Sequence, residues 1–217
     1  MQRILFSSLF ALTVATFGAC GFFSGDTAPD STPSGDALQN GDIIFQTSLS
    51  RQSEPIQLAT NSPYSHVGIV YVNDGKTYVF EAVQPVKLTP LDAWIDRGKE
   101  DHYVVKRLKD TSSLTPDNLK AMRAVGEAWL GTNYDVKFQW SDDLLYCSEL
   151  VWKVFDRGAG IQLCDPSGVD DLELTNPKVE ALLIQRYGSR ENVPDDEVIV
   201  TPADLFECDL LTTVVEH

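Results

Sequence analysis

Short runs of alternating hydrophobic and polar residues dominate the chain between residues 40 and 110, and each run is typical of a β-strand. Between two of these runs, Asn73-Asp74-Gly75 is typical of a tight hairpin turn. The predicted strands are Asp42–Gln46, Ser65–Val72, Thr77–Ala82 and Tyr103–Leu108, with a further short strand at Val198–Val200. A mostly antiparallel sheet is therefore expected.

Helical spacing and capping residues predict four helices around these strands. The first is Ser48–Thr60, with Thr47 or Ser48 as cap and with Pro55 as an interruption. The second is Thr89–Arg97, with Thr89 as cap and Pro90 at the first helical position. The third is opened by Thr115-Pro116-Asp117 and closed by Gly131, and the fourth is Cys147–Gly158. Helices packed on an antiparallel sheet place the chain in the α+β class.

The first twenty residues have the pattern of a secretory signal. Arg3 supplies a positive charge, and an apolar run follows from Ile4 to Phe17, which is short for a membrane span of about 20 residues. The run ends in Phe17-Gly18-Ala19-Cys20, which is similar to a bacterial lipobox, although leucine is usual where Phe17 stands. Lipidation of Cys20 is expected, and ordinary signal cleavage nearby is the alternative.

Residues 21–39 are rich in Gly, Ser, Thr, Pro and Asp, a composition typical of a flexible tether. The expected organisation is therefore a signal at 1–20, a tether at 21–39 and one domain at 40–217, since 217 residues suit a single folded unit.

Composition and charge narrow the possible partners. Hydrophobic residues make up 43% of the chain, enough for a core, and the formal net charge is -15. Such acidity argues against a nucleic-acid partner, because phosphate binding needs a basic surface. There are three histidines and neither HExxH nor CxxC, so no metal or other cofactor is expected.

The cysteine count is odd once Cys20 is assigned to lipidation. Cys147, Cys164 and Cys208 remain, so in an oxidising compartment at least one thiol lacks a partner within the chain. A Cys164–Cys208 disulfide that leaves Cys147 as a thiol is one possibility, and the sequence does not set the pairing.

Cys147 and His66 are the candidate nucleophile and base. Cys147 stands at the first turn of a predicted helix, where unpaired amides favour a thiolate and can stabilise an oxyanion. His66 lies on a strand beside a hairpin, and pairing residue 66 with 81 centres the turn at 73.5. Glu81 then lies across from His66 on the same face and could orient the imidazole. The alternatives are a small core cysteine, a structural histidine and a solvent-facing glutamate.

Five segments, taken in order, resemble the YiiX-type branch of the NlpC-like permuted papain-fold hydrolases over nearly all of residues 40–215. They are Gly41-Asp42-Ile43-Ile44-Phe45, Tyr64-Ser65-His66, Val79-Phe80-Glu81-Ala82-Val83, Gly131-Thr132-Asn133-Tyr134-Asp135 and Tyr146-Cys147-Ser148-Glu149-Leu150-Val151-Trp152-Lys153. The resemblance implies a permuted papain-like fold in which the histidine strand precedes the cysteine helix.

The same resemblance implies roles for individual residues. Cys147 would be the nucleophile, His66 the base and Glu81 the third, polar member of the site. Tyr64 and Tyr134 match positions expected near the pocket, so either could be a second oxyanion donor beside the Cys147 amide, and both could instead be core aromatics.

The expected activity is hydrolysis of an amide in a cell-wall peptide or related peptide through a thioester. An acylated small substrate, handled by a lipid acyltransferase or thioesterase, is the second hypothesis, and a binding module without activity is the third. The lipid anchor would tie the protein to a membrane of the bacterial cell envelope. The residue after Cys20 is Gly21 and not aspartate. By analogy with bacterial lipoproteins, this favours the outer membrane, with the domain facing the periplasm. The sequence leaves the oligomeric state open.

Overall fold

The computed structural model describes residues 38–217, so the predicted signal, Cys20 and all but the end of the predicted tether lie outside the described residues. Leu38, at the end of the predicted tether, is buried in a core cluster with Ile44 and Trp94. Within residues 38–217, no helix has the length and apolar character needed to cross a membrane.

A six-stranded antiparallel sheet forms the centre of the domain. The strands of the described residues are β1 (Ile43–Ser48), β2 (His66–Asn73), β3 (Lys76–Glu81), β4 (Lys87–Pro90), β5 (Gly98–Leu108), β6 (Ser167–Gly168), β7 (Val198–Ile199) and β8 (Leu211–Glu216). The sheet has the strand order β4-β3-β2-β1-β5-β8, with antiparallel pairing between all neighbours, and the short strands β6 and β7 pair with each other.

Helices cover both faces of this sheet. They are α1 (Ser53–Thr60), α2 (Leu91–Ile95), α3 (Pro116–Ala128), α4 (Cys147–Ala159), α5 (Pro177–Tyr187) and α6 (Pro202–Phe206). Leu150 and Phe155 of α4 share a core cluster with Val67 and Ile69 of β2, whereas Trp94 of α2 is buried on the opposite face. The predicted α+β class and permuted papain-like arrangement are confirmed.

Two predicted helices begin later than their sequences suggested. The first starts at Ser53, because β1 continues to Ser48, whose backbone N–H donates to Ser65 Oγ. Pro55 then falls in the first helical turn, where a missing N–H costs little. Thr89 lies on β4 rather than capping α2, and Pro90 precedes that helix. The helix predicted to open at Thr115-Pro116-Asp117 does begin there, and the Thr115 side chain caps it by accepting from the Asn118 N–H.

The predicted hairpin register, His66 opposite Glu81, is wrong by two residues. Ile69 pairs with Phe80 and Asn73 with Lys76, so the turn centres on Asp74 and Gly75. Both turn residues have positive φ, 50° and 72°, as a two-residue type I′ loop requires. Because side chains alternate with a period of two, a slip of two residues leaves His66 and Glu81 on the same face.

Candidate active site

Glu81 contacts His66 diagonally across the β2–β3 hairpin. Glu81 Oε2 lies 2.6 Å from His66 Nε2, and both side chains are buried. Gly68 stands between them, and a Cβ built there would come within 2.4 Å of Val79 Cγ1 and 3.5 Å of Glu81 Cβ. The close approach of β3, chiefly of the Val79 side chain, therefore leaves no room for a side chain at position 68.

The second oxygen of Glu81 is held by two groups that the sequence did not indicate. Thr89 Oγ1 donates to Oε1 at 2.5 Å, and Arg97 Nη2 donates to the same oxygen at 2.5 Å. Burial would raise the pKa of Glu81, but the hydrogen bond and charge of His66, with Thr89 and Arg97, lower it to about 2. Glu81 is therefore a fixed, ionised acceptor for His66.

The spacing of hydrophobic and polar residues could not have identified Thr89 and Arg97 as partners of Glu81, because the tertiary structure alone brings them to its carboxylate. Thr89 reaches the carboxylate from β4, and Arg97 follows α2 immediately before β5. Trp94 of α2 also stacks on the His66 ring, with centroids 5.9 Å apart and an interplanar angle of 26°. The α2 region thus fixes both the ring plane of His66 and the carboxylate of Glu81.

Cys147 is the first residue of α4 and its thiol hydrogen-bonds with His66. Burial would raise the thiol pKa, but the hydrogen bond and positive charge of His66 lower it, helped by the backbone N–H groups of Val67 and Ser148. The sequence hypothesis rested on the helix start, and the structure adds the adjacent β2 backbone as a second source of donors.

The surroundings of His66 favour its protonated form. Burial would lower the pKa of His66, but hydrogen bonds to Cys147 and Glu81 raise it to about 9. Since Glu81 occupies Nε2, Nδ1 is the ring nitrogen left to face the thiol. The lowered pKa of the Cys147 thiol and the raised pKa of the His66 imidazole both favour a thiolate–imidazolium pair in the resting site.

Tyr134 lies at this pair and Tyr64 lies elsewhere in the core. The Tyr134 hydroxyl hydrogen-bonds with the Cys147 sulfur and accepts from Gln52 Nε2 at 3.0 Å. The Tyr64 ring packs against Phe206 at 4.2 Å between centroids. Of the two candidate oxyanion donors, the structure therefore brings Tyr134 to the thiol and gives Tyr64 a packing position.

Side chains of α4 hold the cysteine in place from behind. The Glu149 carboxylate accepts from the Tyr146 backbone N–H and from Lys153 Nζ, at 3.3 and 2.7 Å. Ser148 Oγ donates to the Val200 carbonyl at 2.7 Å. The first turn of α4 is therefore anchored on both sides of Cys147, which limits movement of the sulfur.

Two cavities meet at Tyr134. One contains Cys147, is lined almost entirely by apolar side chains and has about 610 Å³ of space unoccupied by atoms, part of it open to solvent. The other is a wider groove that contains His66, with about 1290 Å³ of unoccupied space that also includes open solvent, and Gln84 and Arg97 are among its lining residues. A substrate whose carbonyl lies at the sulfur can therefore extend one way into the apolar cleft and the other way into the groove, where polar and apolar side chains alternate.

Residues 37–215 match the family model described as permuted papain-like amidase enzyme, YaeF/YiiX, C92 family. This chain belongs to that family. It is 43% identical to the protein YiiX of Escherichia coli K12 over 179 residues, which are 82% of this chain and 87% of YiiX. A crystal structure of yiiX from Escherichia coli O157:H7 superimposes with a TM-score of 0.78 at 44% identity, covering 83% of this chain and 98% of that chain. At family level, the protein is therefore a cysteine peptidase- or amidase-like hydrolase.

The yiiX protein of that crystal structure is described as a metalloprotein. In this chain, residues 38–217 contain no group of three or more His, Cys, Asp or Glu side chains placed to hold a metal ion. His66 engages Glu81 through Nε2 and Cys147 through its remaining side, so it has no ring nitrogen for a metal. The described residues do not fit a metal at the candidate site, and no catalytic step below uses one.

Proposed function

We propose that this protein is a cysteine amidase whose substrates carry an apolar acyl group, cleaved through a thioester on Cys147. The observation that carries the proposal is the apolar cleft that opens onto the Cys147 sulfur. The groove at His66, whose lining includes Gln84 and Arg97, would take the amine half of the substrate.

The chemical steps follow from the pair of charged groups. The Cys147 thiolate attacks the carbonyl carbon, and the oxyanion receives hydrogen bonds from Tyr134 Oη and the Cys147 backbone N–H, which has no acceptor within the helix. His66 then gives its Nδ1 proton to the departing amine as the C–N bond breaks.

Water completes the cycle. Neutral His66 takes a proton from water as the oxygen attacks the thioester, and breakage of the C–S bond releases a carboxylic acid and restores the thiolate. Glu81 remains ionised throughout and stabilises each imidazolium that forms.

The lining of the cleft favours an acyl group over a cell-wall peptide. Ile56 and Ala59 of α1 and Val179 and Leu183 of α5 face it, and few polar atoms lie on its walls. A cell-wall peptide would bury amides and carboxylates there without partners, which costs roughly 1–3 kcal/mol for each group. The cleft supports equally the second hypothesis, an acylated lipid whose acyl group is transferred from an ester.

Purified protein should be incubated with three substrates: an N-decanoyl amide, a decanoyl ester and a muropeptide. We expect Cys147-dependent release of decanoate from the amide, with the ester arm reporting on the lipid hypothesis. Release of a new amine from the muropeptide without cleavage of either decanoyl compound would contradict the proposal and favour the cell-wall peptide.

We also propose an envelope location through a lipid on Cys20, supported by the apolar run and the lipobox-like sequence that precede it. The -15 net charge makes electrostatic adhesion to anionic lipids unfavourable, so a covalent anchor is the simpler means of attachment. Labelling with a clickable fatty acid in the native host should mark the wild type and not Cys20→Ser. Equal labelling of both would remove the basis for the anchor.

A further inference from the structure

Cys164 and Cys208 lie at the two ends of a segment that supplies one wall of the cleft at Cys147. We call residues 165–207 the cap segment; it contains β6, α5, β7 and α6. Side chains of α5 and β7 face the cleft. Cys208 belongs to the core cluster around α4 and Cys164 packs against that cluster, so the chain leaves the core at one cysteine and returns to it at the other.

The sulfur of Cys208 lies beside the backbone of Cys164. Cys208 Sγ donates to the carbonyl of Leu163, the residue that precedes Cys164. In a trans peptide the carbonyl oxygen is about 3 Å from the next Cα, so this sulfur is within roughly 6 Å of the Cys164 Cα. The Cα atoms of bonded cysteines are usually about 4.4–6.8 Å apart, so the proximity of the two residues suits a disulfide.

Polar contacts around the two cysteines keep the ends of the cap segment together. Trp152 Nε1 donates to the Cys164 carbonyl at 2.8 Å, which ties Cys164 to α4. Ser167 Oγ donates to Asp204 Oδ2 at 3.3 Å, and Ser167 also pairs with Ile199 between β6 and β7. Both cysteines are thiols in this structure, so the two ends meet without a covalent bond.

We propose that Cys164 and Cys208 form a disulfide when the protein meets a thiol–disulfide oxidant, and that this bond joins the two ends of the cap segment. Cys164, the less buried thiol, attacks the disulfide of the oxidant, and one thiol leaves as a mixed disulfide forms. Cys208 then attacks the Cys164 sulfur, the bond between the two cysteines forms, and the second thiol leaves. The protons of both cysteines end on the two thiols released, and the oxidant is reduced by two electrons.

Burial of the two thiols decides when this bond forms. Burial, with the nearby charge of Asp204, raises the pKa of Cys164 to about 12, and burial also raises the pKa of Cys208. Exchange needs a thiolate, so the reaction should be slow in the folded protein and faster while the chain folds. The proposed envelope location would supply the oxidant at that stage. Cys147, whose thiol hydrogen-bonds with His66, stays outside the pair and remains available as the nucleophile.

Peptide mapping without reduction tests the pairing, on the Cys20→Ser chain so that three cysteines remain. The protein is reduced, unfolded and refolded in a buffer of reduced and oxidised glutathione, and remaining thiols are blocked with N-ethylmaleimide in denaturant. Trypsin places the three cysteines on separate peptides. We expect the peptides of Cys164 and Cys208 to be linked in the main species, with N-ethylmaleimide on Cys147. A second sample, oxidised for days in the folded state, should give the same linkage more slowly, and it keeps the test open if refolding fails.

The effect on the cap segment is measured by thermal unfolding. The oxidised protein should unfold about 5–15 °C above the reduced protein, as expected for a disulfide that closes a long loop in a domain of this size. Cys164→Ser and Cys208→Ser should each abolish both the linked peptide and this difference, and serine at 208 keeps a donor for the Leu163 carbonyl. Cys147→Ser is the matched control, which should keep the linked peptide and the difference.

Two results would overturn the pairing: N-ethylmaleimide on both Cys164 and Cys208 in both samples, or Cys147 in the main linked species. A Cys164–Cys208 link that leaves the unfolding temperature unchanged would overturn the claim that the bond stabilises the cap segment. None of these measurements uses a substrate, so their outcome is independent of whether the proposed amidase activity is found.

Discussion

Replacing Glu81 by Gln removes the negative charge that holds the His66 imidazolium and keeps the size and a hydrogen-bonding group. The pKa of His66 rises from 6.5 to about 9 through its bonds to Cys147 and Glu81, a stabilisation of about 3 kcal/mol. Glu81 supplies part of this, so we expect kcat/KM to fall about 10- to 100-fold, equivalent to about 1.4–2.7 kcal/mol. The loss should be smaller than for Cys147→Ala or His66→Ala, and Glu81→Ala should be no milder.

The assay is kcat/KM for an N-decanoyl amide as a function of pH, with the folded state of each variant checked by circular dichroism. The alkaline limb, set by loss of the His66 proton, should move to lower pH in Glu81→Gln, because the charge that raises the His66 pKa is gone. Glu127→Gln is the matched control, since Glu127 is exposed and pairs with Arg123 within α3. A Glu81→Gln enzyme with kcat/KM within twofold of wild type and an unmoved alkaline limb would refute the role of Glu81.

Three further results are expected from the same site. Tyr134→Phe should lower kcat by about 10²- to 10³-fold with a smaller change in KM, as loss of an oxyanion donor does, and steady-state kinetics showing the reverse split would contradict that role. The pH profile of wild-type kcat/KM should be bell-shaped. It should fall above a pH of about 9 as His66 loses its proton. On the acid side it should fall as the Cys147 thiolate is protonated, and this limb should lie below the pKa of an ordinary thiol. Iodoacetamide should modify Cys147 faster than Cys164, whose pKa burial raises to about 12, and peptide mass spectrometry showing Cys164 as the faster site would contradict the assignment.

The contact between His66 and Glu81 was predictable because it depends on which face of the sheet each side chain occupies more than on the exact strand register. The sequence places both residues on one face, and a slip of two residues at Asp74-Gly75 preserved that face. The sequence signalled a tight turn within Asn73-Asp74-Gly75, and its last two residues, which both have positive φ, form the turn. The small size of Gly68 was visible in the sequence, but its close approach to Val79 was not.

Other parts of the site depend on contacts between distant segments, which local patterns do not encode. Thr89 had the pattern of a helix cap, yet pairing of β4 with β3 turns its hydroxyl to Glu81. Leu183 lies on α5, a helix that the sequence patterns did not predict, and its place in the cleft follows from the packing of α5 near α1. Such residues become visible once the sheet and helices are assembled.

The central claim, that Cys147 forms a thioester with the acyl half of the substrate, is tested most directly by acid-quenched mass spectrometry. The protein should be mixed with the p-nitroanilide of decanoic acid, quenched within the first turnover and digested. We expect a decanoyl group on the peptide containing Cys147, release of p-nitroaniline with it, and neither product in Cys147→Ala. Release of p-nitroaniline at an equal rate from Cys147→Ala, with no acylated cysteine in the wild type, would contradict the account.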